Sequence, residues 1–184
     1  MLLPIVSFGS PVLRKKCKEV NLDYPELDDL LENMWETMYK SSGVGLAAPQ
    51  INKSIRIFLI DTEPFMEEEL KDKAVKKTFI NATILSEDGE EWSFNEGCLS
   101  IPDIREDVKR KPIITIKYQD ENFDWHTDTF DGLTARVIQH EYDHIEGKLF
   151  IDYISPLRKR MIKRKLEKIT QGNIQVGYKM QFPK

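Results

Sequence analysis

The apolar positions change period along the chain, and the changes outline its elements. Leu27, Leu30, Leu31, Met34, Trp35 and Met38 recur at three- and four-residue steps after Pro25. That spacing predicts an amphipathic helix, with Gly43 standing where a C-terminal cap is favoured. IRIFLI (55–60) is short, apolar and β-branched, which predicts a strand buried on both faces, and the charge-dense TEPFMEEELKDKAVKK (62–77) predicts a solvated excursion between strands. TFINATIL (78–85), EEWSF (90–94), PIITIKYQ (112–119) and FDWHTDTF (123–130) read as further strands, the last two joined by Asp120-Glu121-Asn122 at hairpin length. From Leu133 the period turns helical: Leu133, Val137, His140 and His144 fall on one stripe, closed by Gly147. A last helix is predicted from Ser155, with Pro156 at its first position, to Thr170, where Gly172 stops it. Helix, strands, helix, helix is the order of an α+β fold.

Composition narrows the class. The 184 residues are 40% hydrophobic and 32% charged, with no internal repeat and no linker, so residues 1–184 are expected to form one domain that ends in a short tail, 171–184. The net charge of −4 excludes a nucleic-acid binder held by bulk positive charge, and no sequence-specific nucleic-acid partner is expected. No window approaches the roughly 18 apolar residues of a membrane span, and MLLPIVSFGSPVLRKK puts its apolar stretch before its charges, the reverse of a secretion signal. A cytoplasmic location with no membrane partner is therefore expected. Two cysteines, Cys17 and Cys98, are too few for a disulfide-stapled scaffold, which leaves room for a chemical role of one thiol.

The sharpest local signal is HEYDH (140–144). Histidines four apart on a helix project from one face and can reach one metal ion, and Glu141 beside the first can take a proton from water that such an ion activates. The plain alternative is a helix whose histidines are ordinary surface or core residues. Two histidines leave a catalytic ion one protein ligand short, and the candidates are His126, Cys17, Cys98 and a carboxylate. Alternation in FDWHTDTF puts His126 with Asp124 and Asp128 toward water, and Cys17 in RKKCKEV reads as a small half-buried thiol. Cys98 sits in NEGCLSIP (95–102), where Gly97 permits an unusual turn and Pro102 ends the extended run. The residues alone leave Cys98 open between a ligand and a buried structural cysteine. In SSGVGLAAPQ (41–50), two glycines and small alanines allow close approach of a substrate backbone, Gln50 carries a donor amide, and a helix cap with a tight turn is the competing explanation.

Taken in order, GVGLAAPQ (43–50), EGCLS (96–100) and QHEYDH (139–144) resemble the three signature motifs of the peptide deformylases, over a span from the N-terminal segment to about Leu157. The resemblance implies an α+β fold with mixed or antiparallel sheets around a central metal-binding helix, together with an N-terminal and a C-terminal helix. It implies removal of the formyl group from the N-terminal formyl-methionine of nascent polypeptides, releasing formate. Position by position it implies Cys98, His140 and His144 as metal ligands and Glu141 as general acid and base. The Gln50 side-chain amide and the Leu99 backbone N–H would hold the formyl oxygen, and Gly45 would offer backbone hydrogen bonds to the substrate. The implied ion is Fe(2+), one per chain, with Zn(2+), Ni(2+) or Co(2+) as substitutes, since thiolate and imidazole suit several metals. An apolar slot for methionine is expected from Val44, Phe94, Leu133 and Val137, with core packing the rival role for Leu133 and Phe94. Arg136 departs from the apolar residue frequent at its position in the family and has no assigned place. Glu96 and Asp143 are expected to orient neighbours through ion pairs.

LRKRMIKRKLEK (157–168) carries seven basic residues against Glu167 alone, a local footprint for polyanions on an acidic protein. In bacterial members of the family the terminal helix docks on the ribosome, so the ribosome is an expected partner, with an ordinary solvated face as the alternative. Two other functions compete. One is a zinc metallopeptidase using the same helix with Glu96 as third ligand. The other is a non-enzymatic ribosome-associated module with a structural metal, which would need a fourth protein ligand.

Overall fold

The computed structural model describes residues 1–183. In chain order its helices and strands are β1 (Ile5–Val6), α1 (Leu27–Lys40), β2 (Gly45–Ala47), β3 (Ile57–Asp61), β4 (Lys76–Asp88), β5 (Trp92–Cys98), β6 (Ile101–Arg110), β7 (Ile113–Gln119), β8 (Trp125–Asp131), α2 (Gly132–Ile145), α3 (Pro156–Thr170) and β9 (Met180–Gln181). The expected α+β class holds. Five strands form an antiparallel sheet in the order β2-β3-β4-β7-β8, β5 and β6 form a separate antiparallel ribbon, and β1 pairs in parallel with β9.

Period-2 alternation in β3 explains the layering, because IFLI sends successive side chains to opposite faces. Ile57 and Leu59 pack on Leu31, Met34 and Met38 of α1, whereas Phe58 and Ile60 face Ala135, Ile138 and Ile145 of α2. Both faces are covered, as the unbroken apolar run predicts. α2 therefore lies inside the molecule, and ten of its 14 residues are buried. A third cluster joins Ile101, Ile104 and Val108 of β6 to Phe150, Ile154 and Ile162, so the ribbon is clamped between the segment after α2 and α3.

Several boundaries differ from the sequence reading. β6 was not expected, since Pro102 reads as a stop; the chain instead turns at Leu99–Ser100 and runs back through Pro102 to Arg110. The ribbon has only two strands, so the proline lies on an edge where its missing N–H breaks no ladder. The left-handed residue after α1 is Ser42 (φ +56°), not Gly43. Gly43 serves close packing instead, since a Cβ there would stand 2.9 Å from Leu99 Cδ1. Gly147 does take a left-handed φ of +73° after α2, with Lys148 N–H closing on Asp143 O at 2.8 Å. The 62–77 excursion is two exposed 3-10 turns, 63–65 and 68–73, before β4 begins at Lys76.

Candidate metal centre

Three elements converge at the centre of the molecule. β5 ends at Cys98, α2 presents His140 and His144 one turn apart, and the ligand atoms of these three residues lie within 4.8 Å of one another. Cys98 Sγ and His144 Nε2 are 3.3 Å apart. Two ligand atoms bound at about 2.0 to 2.3 Å to one tetrahedral ion stand on the order of 3.5 Å from each other, so the spacing suits a shared ion.

Glu96 sets the imidazole of His140. Its Oε2 lies 2.9 Å from His140 Nδ1, an arrangement in which Nδ1–H donates and Nε2 is left to face the site. Burial opposes charge on Glu96, but the bonds from His140 and Arg110 outweigh it and hold its carboxyl well below the usual range. Arg110 reaches the two Glu96 oxygens at 2.7 and 3.1 Å, and Arg136 Nη1 adds 3.0 Å to Oε1. Arg110 also meets Asp143 at 2.7 Å, and Asp143 accepts from the Tyr153 hydroxyl at 3.0 Å. A buried charge is tolerable only when paired and hydrogen-bonded, and this network meets the condition.

Glu141 lies next to His140 in the chain and is buried, its Oε2 without a hydrogen-bond partner among the described residues. Burial pushes its carboxyl up to about 7. A buried carboxylate oxygen left open beside a thiol and two imidazoles is what a site for an ion and its water requires. The donor set and this open oxygen both fit a single divalent cation.

β2 closes the opposite side. A Cβ at Gly45 would fall 2.5 Å from Glu141 Oε1, so only glycine lets the strand lie this close to the carboxylate. β2 is an edge strand of the five-stranded sheet, and an open edge can receive an extended peptide. The 3-10 turn 48–51 brings Gln50 back on β2, where its Oε1 accepts the Ala47 N–H at 2.9 Å. With the oxygen so used, Nε2 points to Cys98 Sγ at 3.5 Å and Ser100 Oγ at 3.3 Å.

A cavity of about 730 Å³ opens on this constellation. Val44, Phe94, Leu133 and Val137 all line it, together with Gly45, Gln50, Leu99, Cys98, His140 and Glu141. His144 lies behind the wall, 1% exposed.

Comparison with known proteins decides the family. The sequence model of the family described as polypeptide deformylase matches residues 2–160. A peptide deformylase of Christiangramia forsetii is 57% identical over 190 residues, covering 100% of this chain and 97% of that one. One of Flavobacterium johnsoniae is 59% identical, covering 99% and 96%. The crystal structure of a peptide deformylase from Legionella pneumophila superposes with a TM-score of 0.81 at 38% identity, covering 94% and 98% of the two chains. The chain belongs to the polypeptide deformylase family. With membership comes its activity, hydrolytic removal of the N-formyl group from nascent polypeptides.

Within a deformylase the remaining residues find their places. Cys17 is buried beside Ser54 and Ile145, away from this cluster, and His126 pairs with Asp120 at 2.7 Å on β8. Glu96 is engaged by two arginines and His140, which removes support for the metallopeptidase reading. Arg136, unplaced from sequence, is buried with its guanidinium on Glu96, Val108 O and Trp92 O and over the Trp92 ring at 4.6 Å. Arg110 was missed along with β6. The signal was available: alternation in IPDIREDVKR buries Ile104, Glu106, Val108 and Arg110, placing two charges on the inner face, where each must have a partner.

Proposed function

We propose that this chain deformylates N-terminal formyl-methionine, with Cys98, His140 and His144 holding one divalent ion and Glu141 moving the proton. The observation that carries the reading is the buried Glu141 carboxylate, open on one oxygen and set against Gly45 beside the three ligand atoms. The family resemblance favours Fe(2+), and the same donors accept Zn(2+), Ni(2+) or Co(2+). When bound, the ion supplies Lewis acidity, easing proton loss from water and drawing charge from the formyl carbonyl. Glu141, with a carboxyl pushed up toward neutrality, accepts that proton and delivers it to the departing amine nitrogen, so one group serves as base and then as acid. Gln50 Nε2 and the Leu99 N–H donate to the formyl oxygen as it gains charge. Val44, Phe94, Leu133 and Val137 surround the methionine side chain, and Gly45 pairs with the peptide backbone.

No helix among the described residues is long and apolar enough to cross a membrane. A cytoplasmic enzyme meeting its substrates as they leave the ribosome accords with this and with α3. Arg158 is taken up by Glu106 at 2.8 and 2.9 Å and Lys163 pairs with Glu167 at 3.9 Å, while Arg160, Arg164, Lys165 and Lys168 are exposed and can face a polyanion. The deciding assay is formate release from a formyl-Met peptide by the metal-loaded protein. Glu141→Gln is expected to keep bound metal and lose at least about 100-fold in kcat; full activity in that variant overturns the assignment.

A further inference from the structure

The Leu99–Ser100 turn is held from several sides. The Tyr178 hydroxyl donates to the Leu99 carbonyl at 2.7 Å, the Phe8 N–H donates to the Ser100 carbonyl at 2.8 Å, and Gln50 Nε2 reaches Ser100 Oγ at 3.3 Å. The Leu99 side chain is closed in by Gly43. Two of these holds come from the chain's own ends. Phe8 follows β1 and Tyr178 precedes β9, and the two strands are tied by Ile5 N–H to Lys179 O and Ser7 N–H to Gln181 O, each at 2.9 Å. Gln175, Val176, Gly177 and Tyr178 also line the cavity, although the stretch matched to the family ends at residue 160.

We propose that Tyr178 is a positioning residue for deformylation: its hydroxyl fixes the Leu99 carbonyl and thereby aims the Leu99 N–H at the formyl oxygen. The inference rests on the reading of Leu99 as a donor to that oxygen. The N–H and C=O of Leu99 share one Cα. With Cys98 fixed at the ligand cluster and the Leu99 carbonyl fixed by Tyr178, the two torsions that swing the N–H are both restrained. A donor stabilises developing charge only when aimed at it, and the contribution falls steeply with misalignment. Tyr178 touches neither substrate nor ion in this scheme and acts through the turn.

Tyr178→Phe keeps the ring and removes one hydroxyl. The expected result is a fall in kcat of about tenfold, one neutral hydrogen bond's worth, with KM and bound metal unchanged and the thermal midpoint lowered by no more than about 2 to 4 °C, the cost of the same bond to the fold. The second arm replaces Leu99 by its α-hydroxy acid analogue, which turns the Cys98–Leu99 amide into an ester and deletes the N–H. If the proposal holds, the ester lowers kcat and Tyr178→Phe costs nothing further in the ester protein. If the ester lowers kcat but Tyr178→Phe has no effect, or costs the same factor in both backgrounds, the proposal is overturned and Leu99 keeps its role. If the ester protein has full kcat, the role of Leu99 falls and the proposal falls with it. A Tyr178→Phe loss that resides in KM, in metal content or in stability with kcat unchanged also overturns it, since the tail then shapes only the wall or the fold.

Discussion

Gly45→Ala adds one methyl group at the closest approach of β2 to Glu141, the residue proposed to move the proton. The new Cβ falls 2.5 Å from Glu141 Oε1 and 2.7 Å from both Cδ and Cγ. Non-bonded carbons rest at about 3.5 to 4.0 Å, so the overlap is about 1 Å at several atoms at once. Turning the carboxylate tip relieves Oε1 but not Cγ. Glu141 is 4% exposed and borders the cavity, so the side chain must leave its rotamer toward that space or β2 must withdraw from α2. Overpacking of this kind costs about 1 to 3 kcal/mol, which lowers the thermal midpoint of a chain this size by about 3 to 10 °C. Displacing an acid/base group by about 1 Å costs on the order of 100-fold in rate. The ligands sit on β5 and α2, so bound metal is expected to stay. Formate release, metal analysis and calorimetry on the purified variant read the three quantities separately. Gly177→Ala is the control, because Gly177 also lines the cavity and its Cβ position meets nothing within 4 Å. A Gly45→Ala enzyme with kcat within about twofold of wild type would refute the reasoning.

Further tests address the charge network and α3. Arg136→Met keeps much of the stem volume but removes the donors that Arg136 gives to Glu96, Trp92 O and Val108 O; urea unfolding is expected to show a loss of about 2 to 4 kcal/mol. Glu96 has a folded pKa depressed below the ordinary carboxylate value of 4.5, so its ionisation contributes stability that is present above that value and is lost as pH falls through the folded pKa. Glu96→Gln is accordingly expected to be less stable at neutral pH and to show a shallower loss of stability on acidification, measured as the urea midpoint from about pH 7 to about pH 3. Charge reversal at Arg160 and Arg164 is expected to weaken salt-dependent ribosome co-sedimentation while leaving formyl-peptide turnover unchanged; equal co-sedimentation rejects the docking role of α3.

The three helices were legible because each carries its own evidence: a 3.6-residue period, a proline at the start of α3 and a glycine after α2. β3 was legible for a similar reason, as a short apolar run bounded by charge. β6 was hidden behind Pro102 and six charged residues, and only its alternation, with Glu106 and Arg110 on the inner side, hints at burial. β1 and β9 have two residues each, too few to show any period. At the site, the motifs singled out the candidate ligands and Glu141, which the fold brings together, but the arginines on Glu96 could not be paired from sequence. Arg110 is 14 positions and Arg136 40 positions from it, and only the packing of the β5–β6 ribbon on α2 brings all three together.

Joining β1 to β9 ties together two stretches of chain that are made far apart in time. Synthesis runs from the amino end, so Ile5 and Val6 emerge long before Met180 and Gln181, and the clasp between them fastens only once both strands are available. Until then β1 has no strand partner, and the Leu99–Ser100 turn goes without the Tyr178 hydroxyl. The final geometry of the site is thus a late product of folding, set by a pairing of strands remote in sequence and not by the motifs alone.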